Sequence, residues 1–240
     1  MRCLTILVYI LFLVSQVSYS IEGNKNGDSG VLTDKIITEP QDTSFLNQVL
    51  YNGSVWKGLY YNIYGTQFMF DDDWMRGSVS LGSFQFDSLE LKYDIYSDDI
   101  IVNYNDIRLL VLNRELLDSF ILQNENKKMH FRNFRDSKYI NGYYEVIHEG
   151  DSKLYKKWHK KRAQFVIEAR YDEFQYENQL VLITNGKVHR ISRKGDLLKI
   201  MGDRKKEIRN FLRQEQIKID IDSPATIIPV LEYYDSIKED

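Results

Sequence analysis

Acidic side chains close to aromatic ones are the residues of this sequence best suited to chemistry. Residues 71–73 are all Asp and are followed directly by Trp74, while Asp94 and Glu145 lie in aromatic-rich stretches farther along. Two carboxyl groups about 5 to 10 Å apart in an aromatic-lined cleft can hydrolyse a glycosidic bond. The same residues are typical of a solvated turn that Trp74 closes by packing inward. The sequence therefore leaves a carboxylate-based glycosidase open as an alternative function.

Histidine, serine and glycine patterns give no further candidate. None of the histidines forms the helical His pair of a zinc hydrolase, and the sequence contains no phosphate-loop or dinucleotide-binding glycine motif. Residues 77–82 contain two serines but lack the spacing of a nucleophile elbow. We predict no catalytic residue, no cofactor and no metal site, and we favour a protein that is not an enzyme. The histidines are His130, His148, His159 and His189.

The first twenty residues have the three-part pattern of a secretory signal peptide. Arg2 precedes an apolar run over residues 4–14, and small or polar residues follow, which predicts cleavage before Ile21. The run is shorter than the about 20 residues that a membrane-spanning helix needs. Cys3 lies in this leader, so we expect a mature chain without thiol chemistry or disulfides. We expect a soluble extracytoplasmic protein, periplasmic or secreted, with no transmembrane segment.

The composition is that of an ordinary packed globular protein. Of 240 residues, 43% are hydrophobic and 28% charged, with only 3 Pro and 13 Gly, which excludes collagen-like and low-complexity classes. Residues 21–43 are polar and rich in Gly, Asn and Asp, which predicts a flexible lead-in. After a signal peptide over residues 1–20 and this lead-in, we expect one β-rich domain over residues 44–240 that ends in helices over residues 196–236.

Period-two alternation of apolar and polar residues dominates the middle of the chain. The connections are too short for crossover helices, which predicts an antiparallel sheet. About ten strands rarely remain one flat sheet. We therefore predict a mainly β fold with a curled antiparallel sheet, either a half-barrel or a barrel. The predicted strands cover residues 56–64, 78–81, 89–96, 100–104, 107–112, 119–122, 143–148, 154–167, 180–184 and 188–192.

Asn185 and Gly186 are the clearest turn signal. Asn-Gly between two alternating runs favours a two-residue hairpin of the primed turn type, which fixes the residues that lie opposite each other on the two strands. His189 is accordingly expected to be a half-buried strand residue. The predicted pairs are Ile183 with Val188, Leu180 with Ile191 and Leu182 with His189.

Helical patterns flank the β region. Ser44 can cap a short N-terminal helix. Toward the C-terminus, we expect Asp203 to cap one amphipathic helix, and a second to begin near Ser223 or Thr226. Because each of these two C-terminal helices has one apolar face, we expect both to lie on the sheet or to cover an open end of it.

Charge is distributed unevenly along the sequence. Residues 21–125 contain 7 Lys and Arg against 17 Asp and Glu, whereas residues 126–218 contain 23 against 12. The densest run, residues 153–162, has six Lys and Arg with Tyr155 and Trp158 among them, and we call it the basic segment. As one strand it would carry charge on both faces, so we expect an exposed hairpin that could contact an anionic surface. The alternative is that acidic and basic strands neutralise each other within the sheet.

Three groups of residues stand out together: YNG at 51–53 with Trp56 and Gly58; LKYDIY at 91–96; and DRKKEI at 203–208 with Phe211, Leu212 and YYD at 233–235. In order and spacing they resemble uncharacterised exported proteins of Gram-negative bacteria, over about residues 45–236. That family has no established activity, so the resemblance implies an extracytoplasmic bacterial setting and no role for any residue. In shape alone, a curled sheet with covering helices is similar to periplasmic lipoprotein carriers and lipocalin-like binders.

These observations favour an exported, non-catalytic binding or accessory protein of the cell envelope. An apolar ligand or an envelope protein partner would be held by the aromatic-rich concave face of the sheet, with the basic segment as a docking edge. We expect no nucleic-acid partner, because the net charge is −3 and the protein is expected to be exported. A structural component that assembles through an exposed sheet edge is a third hypothesis.

Overall fold

Eleven antiparallel strands form one continuous sheet, and three further strands form a small second sheet. The computed structural model describes residues 43–58, 60, 62–71, 73–105, 107–123, 127–135, 139–164 and 172–238. The predicted signal peptide and all but the last residue of the predicted lead-in lie outside the described residues, so both stay predictions.

The strands, in chain order, are β1 (Ser54–Val55), β2 (Ile63–Tyr64), β3 (Met75–Leu81), β4 (Phe84–Asp94), β5 (Asp99–Asn103), β6 (Leu109–Val111), β7 (Leu117–Gln123), β8 (Lys128–Phe134), β9 (Gly142–Glu149), β10 (Lys153–Lys157), β11 (Lys160–Gln164), β12 (Asp172–Tyr176), β13 (Gln179–Thr184) and β14 (Lys187–Ile191). The large sheet has the order β1-β6-β5-β4-β3-β7-β8-β9-β10-β13-β14. The small sheet has the order β11-β12-β2, and β2 is parallel to β12. The predicted mainly β fold and antiparallel sheet are confirmed. The large sheet is open, with β1 and β14 at its ends, so the closed-barrel alternative is wrong.

The β13–β14 hairpin has the register that the sequence predicts, including Ile183 opposite Val188. Asn185 and Gly186 have φ angles of 52° and 67°, as a turn of the primed type requires at both central positions. Because this turn chemistry is local, it sets the pairing without help from the rest of the fold. His189 is half-buried, as expected.

Several strands differ from the sequence prediction. Of the strand predicted over residues 56–64, only Ile63 and Tyr64 of β2 are in a strand among the described residues. The strand predicted over residues 154–167 is divided after Lys157, and its two parts belong to different sheets, β10 to the large one and β11 to the small one. Strands β8 and β12 are not among the predicted strands. In β8, buried Met129, Phe131 and Asn133 alternate with more exposed polar residues, so the period-two pattern is present but rich in charged side chains.

The helices are α1 (Thr43–Leu50), α2 (Lys194–Ile200), α3 (Lys205–Gln214) and α4 (Ile228–Lys238). The short N-terminal helix and the two amphipathic C-terminal helices are confirmed, and α2 is a full short helix. Both predicted caps are wrong. Helix α1 begins at Thr43, so Ser44 lies inside it, while Asp203 lies within a 3-10 turn and Arg204 is the N-cap residue of α3.

The C-terminal helices cover one part of the large sheet. Leu154 and Leu182 of the sheet and Ile208 and Leu231 of the helices are fully buried in one apolar cluster. Each such side chain contributes about 1.5 to 3 kcal/mol by leaving water. A polar contact adds to this packing, because the Asp235 carboxylate of α4 accepts hydrogen bonds from the backbone N–H of Ser152 at 2.8 Å and its hydroxyl at 2.5 Å. The last helix is thereby attached to the turn between β9 and β10.

Candidate functional site

A groove of about 720 Å³ lies across one end of β10, β13 and β14, and we call it the basic groove. Strand pairing forms part of its wall, because Lys156 of β10 lies opposite Leu180 of β13, which lies opposite Ile191 of β14. Small-molecule sites typically have volumes of about 300 to 1,000 Å³. Polar and charged residues that line the groove include Tyr144, Lys156, Lys157, His159, Arg190 and Asp222.

Lys156 differs from the other charged residues of the groove because it is buried and has no hydrogen-bond acceptor among the described residues. The residue is 8% exposed, and in the part of the chain that the structure describes its Nζ makes no hydrogen bond or ion pair. Its Nζ lies 3.6 Å from the ring centroid of Trp158, which is a cation–π contact. Burial lowers the pKa of Lys156, and the carboxylate of Glu145 opposes that shift. Burial of a cation without an acceptor costs free energy, so a contribution to stability does not explain why a lysine occupies this position.

Glu145 holds the aromatic ring that Lys156 contacts. Its Oε2 accepts a hydrogen bond from Trp158 Nε1 at 2.7 Å, and its Oε1 accepts one from Lys127 Nζ at 2.9 Å. Glu145 is 3% exposed and lies opposite Lys156 in the β9–β10 pairing. Glu145 therefore orients Trp158, and within the described residues it makes no direct ion pair with Lys156.

Lys157, the next residue, is fully paired. Its Nζ donates to Asp98 Oδ2 at 2.7 Å, and Asp98 Oδ1 accepts a hydrogen bond from the Tyr93 hydroxyl at 2.6 Å. Arg114 lies 3.9 Å from Asp98 Oδ2 and completes a partly buried arrangement of opposite charges, which we call the Asp98 cluster. Burial lowers the pKa of Lys157, and the carboxylate of Asp98 opposes that shift.

Gly142 leaves room for the carboxylate of Asp98. It has a φ of +85°, a conformation that other residues rarely adopt, and a Cβ at this position would overlap the Asp98 carboxylate. The backbone N–H of the next residue, Tyr143, lies 3.4 Å from Asp98 Oδ2. The start of β9 is therefore shaped around this carboxylate.

The predicted exposure of the basic segment holds for only three of its six cations, Lys153, Lys161 and Arg162. Lys156 is 8% exposed and Lys160 only 4%. Lys160 Nζ donates to the backbone oxygens of Thr66 at 2.7 Å and Phe68 at 2.6 Å. Long aliphatic stems let lysines be buried when the ammonium group finds acceptors. The alternative prediction, neutralisation by acidic residues, describes three of the six cations: Lys157 with Asp98, Lys161 with Glu177 and Arg162 with Asp172.

The acids considered for a glycosidase do not line the basic groove. Asp94 is 2% exposed, and its carboxylate accepts hydrogen bonds from the Gln67 side chain at 2.8 Å and from the backbone N–H groups of Tyr96 and Ser97. Asp71 and Asp73 are exposed, and residue 72 lies outside the described residues. The contacts of Asp94 and Glu145 are those of structural carboxylates, and the glycosidase hypothesis gains no supporting observation.

The aromatic residues expected to hold an apolar ligand pack on one another. Tyr93, Phe120, Phe131 and Tyr143 are each at most 2% exposed. The rings of Phe120 and Phe131 are stacked with centroids 4.5 Å apart, and Tyr93 packs edge-on against both of them. These rings form the interior of the fold, so we place no ligand among them.

The histidines are not gathered into a site. His159 lines the basic groove, and its Nδ1 lies 3.2 Å from the backbone oxygen of Ile95. Within the described ranges, no group of three or more His, Cys, Asp or Glu side chains is arranged to hold a metal ion.

Sequence reasoning identified the basic segment but not its partners in the groove. Arg190 could have been found, since the predicted hairpin register places it opposite Val181, close to the start of β13. Tyr144 and Asp222 line the groove because separate elements pack together, and no local sequence pattern indicates their position there.

No protein-family model matches the chain, and no curated protein or solved structure matches it. The resemblance to exported proteins of Gram-negative bacteria therefore stays a prediction. None of the helices in the described part of the chain is long and apolar enough to cross a membrane.

Proposed function

We propose that this chain is an exported, non-catalytic binding protein whose basic groove holds an organic anion. One observation carries the proposal: Lys156 is a buried cation at the wall of a groove and has no acceptor within the described part of the chain. A carboxylate or phosphate group of a ligand would supply the missing acceptor. Charge-assisted hydrogen bonds of this kind are about twice as strong as neutral ones.

The surroundings of Lys156 favour an anion that also has an apolar part. Arg190 provides a second cation at the groove, while Tyr144 and Ile221 provide apolar surface. Lys157 contributes less charge to a ligand because Asp98 already neutralises it. The groove is much larger than a simple inorganic ion, so an organic acid or a phosphate ester fits it better.

Binding can be tested with pyrophosphate and citrate as probe anions, titrated at constant ionic strength. The indole N–H signal of Trp158 in an NMR spectrum is a local reporter, because the ring lies 3.6 Å from Lys156 Nζ. We expect this signal to shift on binding. The Lys156→Gln variant should bind at least about tenfold more weakly, because it loses a charged hydrogen bond.

Lys153→Gln is the matched control, because Lys153 is on the same strand but exposed at its other end. This variant should bind the probes as the unaltered protein does. Equal binding by Lys156→Gln and the unaltered protein would overturn the proposal, and so would the absence of any Trp158 shift with both probes.

The export part of the proposal rests on the leader-like pattern of the first twenty residues. Expression of the full chain in a Gram-negative host should yield a mature protein that begins at Ile21, as N-terminal sequencing would show. A product that keeps Met1 and remains in the cytoplasmic fraction would contradict export without affecting the groove.

A further inference from the structure

A second groove contains no residue of the basic segment. It has a volume of about 770 Å³ and crosses β3, β4, β7 and β8, and we call it the Trp74 groove. None of the residues that line it also lines the basic groove. Its lining includes Trp74, Arg76, Ser78, Asp87, Gln123 and Lys128.

A β-bulge shapes this groove. The pairing of β3 with β4 shifts register between Gly77 and Val79, so Ser78 has no partner residue on β4. On β4 the irregularity falls at Ser88, which has a φ of 58°. Bulges re-aim side chains and occur often beside binding sites. Here the bulge brings Asp87 and Ser88 to the groove wall.

Trp74 is an aromatic wall supported from its buried side. Lys92 Nζ lies 4.7 Å from the Trp74 ring centroid and 5.1 Å from that of Phe68. Lys92 is 8% exposed and does not line the groove, whereas Trp74 is half-buried and does. Because an ammonium group already contacts the ring, a second cation is a poor ligand for it, and a neutral or anionic group suits it better.

Polar side chains form a row beside this ring. Arg76 of β3 lies opposite Gln123 of β7, which lies opposite Lys128 of β8, and adjacent strands are about 4.8 Å apart. The side chains of these three residues make no hydrogen bond or ion pair in the described portion of the chain. Asp87 differs, because it accepts a hydrogen bond from Gln85 at 3.1 Å. The groove therefore offers two unpaired cations, an amide and one acceptor.

We propose that the Trp74 groove binds an acidic oligosaccharide. The C–H face of a sugar ring packs on the indole, sugar hydroxyls both donate and accept hydrogen bonds with Gln123, Ser78 and Asp87, and a sugar carboxylate pairs with Arg76 or Lys128. Single-stranded nucleic acid also stacks on aromatic rings in basic grooves. The deoxyribose-phosphate backbone of DNA has no hydroxyl donor for Asp87, whereas every ring of an oligosaccharide carries hydroxyl groups, which makes the saccharide the better match.

Isothermal titration with tetramers of galacturonate, mannuronate and guluronate tests this assignment. At least one tetramer should bind, and fully methyl-esterified tetragalacturonate should bind more weakly than the free acid because it lacks the charge. Arg76→Gln and Trp74→Leu should each weaken binding about tenfold or more. Arg76 is exposed, so its substitution leaves the packing of the fold intact.

Two variants serve as controls. Trp56→Leu removes another ring that packs near Phe68, with centroids 6.0 Å apart, but lies outside the groove. Lys156→Gln alters only the basic groove. If this variant no longer bound the tetramers, the sugar would be assigned to the basic groove and the proposal would be overturned. Three further results would also overturn it: no uronate tetramer binds at millimolar concentration, Arg76→Gln and Trp74→Leu both bind normally, or a four-nucleotide thymidine oligonucleotide binds more tightly through Trp74.

Discussion

Lys156 and Lys157 are neighbours on β10, yet their surroundings are opposite. Lys157 donates to Asp98 at 2.7 Å within a cluster that also contains Tyr93 and Arg114. Among the described residues, the Lys156 ammonium contacts only the face of the Trp158 ring, at 3.6 Å, and the residue lines a groove. The two residues alternate across the strand, so each belongs to a different face of the sheet.

Under the proposed function, Lys157 is a structural cation and Lys156 is a binding one. In the Asp98 cluster, opposite charges satisfy each other, and removal of one partner leaves the other buried without compensation. At Lys156 the protein buries a cation that has a cation–π contact but no hydrogen-bond acceptor among the described residues, and such groups in clefts are candidates for functional sites. The two lysines should therefore differ in what is lost on substitution: stability when the partner of Lys157 is removed, and anion binding when Lys156 is replaced.

Asp98→Asn should have the largest effect. It leaves Lys157 without its carboxylate partner in a position where the side chains of both residues are about one-sixth exposed, at 15% and 16%. We expect the free energy of unfolding to fall by about 3 kcal/mol in urea denaturation at neutral pH. Asp172→Asn, which removes the partner of the exposed Arg162, should cost much less. Equal losses in the two variants would contradict a structural role for the Asp98 cluster.

Tyr155→Phe should have an intermediate, pH-dependent effect. The Tyr155 hydroxyl donates to Glu149 Oε1 at 3.0 Å, and burial raises the pKa of Tyr155 to about 12. In the unfolded chain the pKa of a tyrosine is about 10. The contribution of the Tyr155 hydroxyl to the free energy of unfolding is therefore fully present below about pH 10 and is lost as the pH rises toward about 12.

The measurement is the difference in unfolding free energy between the unaltered protein and Tyr155→Phe across this alkaline range. At neutral pH the unaltered protein should be more stable by about 1 kcal/mol. A difference that stays constant from pH 9 to about pH 12 would be inconsistent with the raised pKa of Tyr155.

Lys156→Met should have the smallest effect on stability. The variant loses a cation–π contact but no longer buries an unpaired charge, so we expect the free energy of unfolding to change by less than about 1 kcal/mol. Binding of the probe anions should nevertheless be lost. A destabilisation of more than about 2 kcal/mol would make Lys156 a structural residue and would remove the main support for the basic groove.

The sequence predicted the parts of the fold that depend on local chemistry. The Asn185-Gly186 turn defines its own hairpin, and the three predicted residue pairs occur in the structure. The helical periodicity near the C-terminus likewise depends on residues one turn apart, and Ile208 and Leu212 are buried together. Such patterns are visible because the interacting residues are close in the sequence.

The environments of the lysines were hidden because their partners are distant in the sequence. Lys160 donates to the backbone of Thr66 and Phe68, more than ninety residues earlier, and Lys157 to Asp98, 59 residues earlier. A run of lysines by itself indicates exposure, and only the tertiary fold supplies the acceptors that allow burial. The same reason explains why the sequence did not divide β10 from β11.

The parallel pairing of β2 with β12 has a consequence for the order of folding. Ile63 and Tyr64 meet Asp172 and Glu173, which lie roughly 110 residues away along the chain, and only two residue pairs hold the contact. Closing so long a loop for so small a gain is slow, whereas the successive hairpins of the large sheet close short loops. We therefore expect the small sheet to assemble late, after a native-like large sheet has formed. Because β11 begins two residues after Trp158, the indole next to Lys156 should reach its final orientation in that same late step.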